Sequence, residues 1–199
     1  MTRAILLDLG GVVLGINFKR VFRAWAAAAD VSEAVFYDHW RLDDAYKAQE
    51  VGELSFTSYC EHLSTTLNVT MTDQQWRDGW NALWTHPFKE VCSMLPAIGA
   101  RYSLYAFSNT NAVHANSFFS RYPEELAHFN KVFLSHEIGL RKPSVEAFKQ
   151  VCERMALAPE DVFFIDDTPE NVEGAKKAGL NAHHARGGPA VAACLAQLL

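Results

Sequence analysis

The chain has 199 residues, 49% hydrophobic and 21% charged, and its 18 Lys and Arg against 23 Asp and Glu give a formal net charge of −5. At roughly 150 residues per domain this is one core with room for a sizeable insertion. Average composition excludes wholesale disorder, a collagen-like repeat and a coiled-coil rod, and a mildly acidic chain has no long-range attraction for nucleic acid or an anionic membrane.

Ala4-Ile5-Leu6-Leu7 is an apolar run ended by Asp8 and then Gly10-Gly11, which predicts a fully buried strand entering a turn. Phe18 to about Thr85 shows no strand pattern. It carries apolar residues at helical spacing: Val21, Phe22, Trp25, Ala26 and Ala29, then Tyr59, Leu63 and Leu67, then Trp76, Trp80, Leu83 and Trp84. Thr72 and Gln75 have the spacing of a capping box. A helix is predicted over about 87–100, followed by a second apolar run, Tyr102 to Phe107, ended by Ser108-Asn109. A helix over 112–119 leads to a third run, Lys131 to Leu134, and a helix over 144–155 to a fourth, Val162 to Ile165, ended by Asp166-Asp167. Pro169 suits a first helical turn and Gly179 the position past its end, so a helix is predicted over 169–178. A weaker fifth run, Leu180 to His184, precedes a last helix over 189–199.

Strand–helix alternation with continuous apolar strands predicts an α/β fold: a Rossmann-like, doubly wound parallel sheet of about five strands. Residues 1–16 and 87–199 form its core, and 17–86 form an inserted helical cap. The insertion leaves and returns just beyond the first strand, which places it over the carboxyl ends of the strands, where open α/β sheets bind ligands. Cys60, Cys92, Cys152 and Cys194 are far apart and form no C-x-x-C pair, so reduced thiols are expected. With no secretory leader pattern and no apolar run of about 18 residues, the expected location is the cytoplasm.

The polar residues at the strand ends carry the chemistry. A carboxylate at Asp8, beside a buried strand, is costly unless paired, bound to a cation or used as a helix cap. Asp166 and Asp167 repel each other, which a cation would relieve; capping of the following helix is the alternative, although Thr168 could do that alone. Lys142-Pro143 in isolation reads as a surface lysine, and Ser108-Asn109-Thr110 as a helix N-cap. Taken together, four strand ends offer a carboxylate, a hydroxyl, a cation and a carboxylate pair. Phosphoryl transfer needs such a set: positive charge and donors for the phosphoryl oxygens, and hard oxygen ligands for Mg²⁺.

This order resembles the haloacid dehalogenase-like hydrolases, in Leu6-Leu7-Asp8-Leu9-Gly10-Gly11-Val12, Phe107-Ser108-Asn109-Thr110, Lys142-Pro143, and Phe164-Ile165-Asp166-Asp167 followed by Asn171. The resemblance covers essentially the whole chain, and the insertion looks like that family's cap of the first type. Asp8-Leu9-Gly10-Gly11-Val12-Val13, Ser108-Asn109-Thr110-Asn111 and Gly139-Leu140-Arg141-Lys142-Pro143 are similar to the α-D-glucose-1-phosphate phosphatase subgroup. The resemblance implies Asp8 as a nucleophile that becomes an aspartyl phosphate, Ser108 and the Asn109 amide as phosphate donors, and Lys142 as the offsetting cation. It implies Asp8, the Gly10 carbonyl, Asp166 and Asp167 as the Mg²⁺ site.

Two positions depart from the family pattern. Gly10 stands where phosphatases carry an acid/base aspartate, and Asn171 where many members carry a carboxylate. The reading is a Mg²⁺-dependent phosphomonoesterase on a small phosphorylated metabolite, plausibly a sugar phosphate such as glucose 1-phosphate. The alternatives are a metal-free haloacid dehalogenase and a catalytically weak member that binds a phosphometabolite or a partner. The chain is expected as monomer or homodimer, with no nucleic-acid or membrane partner. In the cap, Trp40, Arg41 and Asp44, with Tyr46 and Lys47, are the substrate candidates, packing being the alternative for Trp40 and Tyr46. Arg20 and Arg23 read as a solvated helix face, Trp76, Trp80 and Trp84 as a buried stripe, and His183-His184 as structural. His114, just beyond Ser108-Asn109, is a candidate for a peripheral site contact.

Overall fold

The computed structural model describes residues 2–199. In chain order the elements are β1 (Ala4–Leu7), β2 (Leu14–Ile16), α1 (Phe18–Ala29), α2 (Ala34–His39), α3 (Asp44–Glu50), α4 (Phe56–Leu67), α5 (Asp73–Asn81), β3 (Trp84–Pro87), α6 (Lys89–Cys92) and α7 (Leu95–Gly99). There follow β4 (Ser103–Ser108), α8 (Ala112–Arg121), α9 (Pro123–Leu126), β5 (Lys131–Leu134), α10 (Ser135–Ile138), α11 (Val145–Met155), β6 (Val162–Asp166), α12 (Pro169–Lys177), β7 (Asn181–His184) and α13 (Gly188–Ala196).

Five strands form one parallel sheet in the order β5-β4-β1-β6-β7. β1 is central and wholly buried. Its alternate side chains feed two cores. Ile5 and Leu7 join a cluster that runs on through Trp25, Trp80 and Val191, while Leu6 joins Phe148, Phe164 and Val172 on the other face. The chain moves from β1 outward to β4 and β5, then returns to the far side of β1 for β6 and β7. The order therefore reverses at β1, and the crevice beyond its carboxyl end is the topological switch point. Asp8, Ser108 and Asp166 all stand at that end.

Two predicted elements differ. β3 was not foreseen, and Trp84 belongs to it rather than to a helical stripe. The four-residue step from Trp80 to Trp84 imitates a helix, but the chain has to return beside its exit. It does so as an antiparallel ribbon, with Ile16 opposite Trp84 and the Phe88 N–H donating to the Val13 carbonyl at 2.9 Å. The single helix predicted over 87–100 is two short ones, because Pro96 at the start of α7 has no N–H to carry a helix through.

The five helices between β2 and β3 pack around aromatic rings. Trp25 stacks on Trp80 at 5.4 Å, meets Trp76 edge-on at 5.0 Å, and donates its indole N–H to the Trp76 carbonyl at 3.1 Å. Gly79 lets α5 approach this closely, since a Cβ there would strike the Trp25 ring. Thr72 and Gln75 form the full reciprocal capping box at the start of α5. All four cysteines are free, and no helix among the described residues is long and apolar enough to cross a membrane.

Candidate active site

Asp8 follows β1 directly, its N–H held by the Ile165 carbonyl at 2.9 Å. Its Oδ1 accepts a hydrogen bond from Lys142 Nζ at 2.7 Å, and the same ammonium donates to Asp166 Oδ2 at 2.6 Å. Lys142 is 1% exposed, with the Phe107 and Phe164 rings 5.4 and 5.5 Å from its nitrogen. Burial pulls its pKa down, but the two facing carboxylates outweigh burial and hold it above the ordinary lysine value. Burial and the Asp166 charge push Asp8 up to about 7 against the opposing pull of Lys142. Burial and Asp166 also raise Asp167.

Lys142 is held in place through its backbone. Asn109 Nδ2 donates to the Lys142 carbonyl and the Lys142 N–H donates to Asn109 Oδ1, both at 2.9 Å. The side chain of Asn109 is thus spent on the lysine loop, which leaves only its backbone amide for a ligand. The N-cap of α8 is Asn111, so Ser108 is not used there. Ser135, a residue without sequence signal, pins the same loop by accepting from the Thr110 N–H at 2.8 Å and donating to the Thr110 carbonyl at 3.0 Å.

The Asp166-Asp167 pair divides. Asp166 is fully buried and saturated: its oxygens accept from the Thr168 N–H at 2.9 Å, from Asn171 Nδ2 at 3.0 and 3.1 Å, and from Lys142. Asn171, in a position where a carboxylate would repel it, is therefore a donor that fixes Asp166. The Thr168 side chain makes no cap bond; it donates to Asp167 Oδ1 at 3.2 Å. Among the described residues Asp167 Oδ2 accepts no hydrogen bond, and the exposed Arg186 lies 3.7 Å from it. It lies where a Cβ on Gly11 would be, and Gly11 has φ +80°, so only glycine leaves this space. His184 donates to the Asp167 carbonyl at 3.0 Å. Ligand oxygens of Asp8, Asp166 and Asp167 lie within 4.8 Å of one another.

A cavity of about 400 Å³ opens over these groups, walled by Asp8, Gly10, Ser108, Lys142 and Asp167 below and by Phe18, Tyr46, Glu50, Trp84, His114 and Arg141 above. The substrate candidates separate here. Tyr46 lines the cavity; Trp40, Arg41, Asp44 and Lys47 do not. Trp40 packs on Phe18 and Phe22 and donates to the Tyr59 hydroxyl at 3.1 Å. Arg41 is exposed and turns back to the Trp40 carbonyl, and Asp44 pairs with Lys47 in solvent at 3.1 Å. Charged loop residues near a hairpin looked accessible to a ligand, but solvation claims them. Arg141 was seen only as part of the Gly139–Pro143 motif and Glu50 carried no signal of its own, although Glu50 lies one helical turn from Tyr46 and so on the same face. Arg20 and Arg23 lie on the solvated face, and His183 stacks on Phe163 at 4.3 Å.

His114 is buried, stacked on Trp80 at 4.6 Å, and its Nε2–H donates to the Trp80 carbonyl at 3.0 Å. Burial pushes its pKa down to about 4 from 6.5. Across that window the unfolded chain takes up a proton that the native chain refuses, so His114 costs stability as pH falls, roughly 3 kcal/mol in all. His114→Gln should remove that loss. Urea denaturation at both ends of the window checks it, and an equal acid loss in wild type and variant would refute it.

A family model described as haloacid dehalogenase-like hydrolase matches residues 2–179. The chain belongs to that family. The D-ribitol-5-phosphate phosphatase of Bacteroides thetaiotaomicron is 21% identical over 193 residues, covering 94% of each chain. Among solved structures, a family enzyme from the same organism in complex with magnesium and inorganic phosphate superposes with a TM-score of 0.79 at 25% identity, covering 94% of this chain and 96% of that one. The structure of a predicted HAD-like family hydrolase from Porphyromonas gingivalis gives a TM-score of 0.85 at 25% identity, with 100% and 98% covered. The chain is thus an enzyme of the HAD-like hydrolase family.

Proposed function

We propose that this HAD-like hydrolase is a Mg²⁺-dependent phosphomonoesterase acting through an aspartyl phosphate on Asp8, with residues 17–86 as its cap. Its substrate is a small sugar or polyol phosphate, such as glucose 1-phosphate or a relative of ribitol 5-phosphate. One observation carries this reading. Two carboxylates, Asp8 and Asp166, hold a single buried ammonium with Asp167 beside them, and among the described residues Asp8 Oδ2, Asp167 Oδ2 and the Gly10 carbonyl accept no hydrogen bond. The magnesium- and phosphate-bound relative and the phosphatase relative support it.

The donors fit Mg²⁺: they are all hard oxygens, and the space beside Gly11 is kept clear for one of them. Asp8, the Gly10 carbonyl and Asp167 would hold the ion, with Asp166 behind them to orient Lys142. Bound Mg²⁺ supplies positive charge that lets an anionic nucleophile meet an anionic phosphate.

The residues then divide the work. Lys142 orients the Asp8 carboxylate, which attacks phosphorus as the ester P–O bond breaks. The Ser108 hydroxyl and the Asn109 amide hold phosphoryl oxygens, and Lys142 offsets their charge. Water then cleaves the acyl phosphate and restores Asp8. The departing oxygen lacks a donor. Position 10 is glycine, and His114 is neutral with its one N–H spent on Trp80. An anomeric or aryl oxygen, which tolerates negative charge, should therefore leave faster than a primary alkoxide such as that of a polyol phosphate.

The test is a series of phosphate monoesters of rising leaving-group pKa, with and without Mg²⁺. kcat/KM should fall steeply along the series. A Cβ at Gly10 meets the Ile16 side chain, 3.3 Å from Cδ1 and 3.5 Å from Cγ2, and fits once that side chain gives by a small amount. Gly10→Asp should therefore fit and flatten the slope, gaining about 10²–10⁴-fold on primary alkyl phosphates. A flat slope in wild type would show that another group supplies the proton.

A further inference from the structure

Arg141 immediately precedes Lys142, and Glu50 ends α3 in the insertion, so a contact between them ties the two parts of the chain together inside the cavity wall. Arg141 Nε donates to Glu50 Oε2 at 2.7 Å, with side chains 23% and 6% exposed. The two terminal guanidinium nitrogens find no acceptor among the described residues. The Tyr46 hydroxyl lies against the Glu50 carboxylate. An ion pair this buried is no stability device, since apolar residues of similar size do as well or better. Its placement against the cavity, with donors unspent, calls for a ligand.

We propose that Arg141 and Glu50 form a clamp for vicinal hydroxyls of the substrate, one hydroxyl accepting from the free guanidinium nitrogens and its neighbour donating to the Glu50 carboxylate. The clamp rests on the phosphatase reading and names what that phosphatase selects: a neutral, polyhydroxylated leaving group. Donor and acceptor side by side match two adjacent hydroxyls, each of which can give and take a proton. An alkyl chain would strand both charges without partners, which is what makes such sites selective. A second anion is disfavoured for a different reason. Glu50 already neutralises Arg141, and the approach is bordered by Asp8 and Asp167.

Wild-type enzyme with Mg²⁺ is assayed on p-nitrophenyl phosphate, ribitol 5-phosphate, pentyl phosphate and the five-carbon aldonate phosphate with a far-end carboxylate. Ribitol 5-phosphate should exceed pentyl phosphate in kcat/KM by about 10- to 100-fold, chiefly through KM. The aldonate should fall below the polyol. Two variants attack the clamp from opposite sides. Glu50→Gln removes the acceptor charge; Arg141→Lys keeps a cation beside Glu50 and removes the unspent nitrogens. In each, with folding checked by circular dichroism, the polyol-to-alkyl ratio should collapse toward one. No phosphate release from any ester would sink the phosphatase reading itself. Release from p-nitrophenyl phosphate without polyol preference, preference for the aldonate, or a ratio that survives in either folded variant would overturn the clamp alone.

Discussion

Asp8→Asn is expected to abolish phosphate release, by at least about 10⁴-fold, while leaving the fold intact. Asparagine keeps the shape of the side chain, and its Oδ1 can still accept from Lys142, but an amide is a poor nucleophile. The substitution also relieves the native state. Asp8 is pushed up from 3.8 to about 7, chiefly by burial. Between those values the native chain binds a proton that the unfolded chain has lost, so Asp8 makes stability fall as pH rises through that window. The variant should therefore gain stability over the wild type, fully so above the native value and not at all below 3.8. Chemical denaturation in EDTA across this range, beside a phosphate-release assay, checks both halves. Turnover near wild type would remove Asp8 as the nucleophile; a variant less stable than wild type above the window would contradict the burial argument.

The second large effect concerns the cation. Chelation with EDTA should stop hydrolysis and added Mg²⁺ should restore it, and Asp167→Ala should cost at least about 10²-fold even with excess Mg²⁺. Asp167 is the carboxylate with an oxygen unspent, whereas those of Asp166 are committed to Lys142, Asn171 and Thr168. Asp166→Asn should then act differently. It leaves Lys142 with one anionic partner, so its loss should appear in the positioning of Lys142 and in phosphate affinity more than in the Mg²⁺ requirement. Isothermal titration with Mg²⁺ separates the two. Equal Mg²⁺ affinity in wild type and Asp167→Ala, or full activity in EDTA, would move the reaction toward metal-free chemistry.

The inner strands β1, β4 and β6 were legible because each centres on a short apolar run, which a parallel sheet buried on both faces demands of its inner strands; the edge strands β5 and β7, which carry Lys131 and Asn181, His183 and His184, were fainter. Asp8, Ser108 and Asp166 stood out for a related reason: a polar residue at the end of a buried run needs a partner; Lys142 lies in the loop after α10 and stood out only in company with them. β3 was hidden because its pairing with β2, Ile16 opposite Trp84 and Leu14 opposite Pro87, joins residues far apart in the chain and leaves no local trace, and Trp84 at helical spacing from Trp80 supplied a false one. Within the site, the sequence by itself determined the charges and their order along the chain. Only the tertiary structure decided which carboxylate holds the lysine and which is left open, that Asn109 and Asn171 serve as struts, and that Glu50 rather than Arg41 or Asp44 faces the cavity. These are outcomes of competition for hydrogen bonds among groups 5 to 134 residues apart, most of them distant in the chain. The winner depends on packing geometry in three dimensions, which spacing along the chain does not encode.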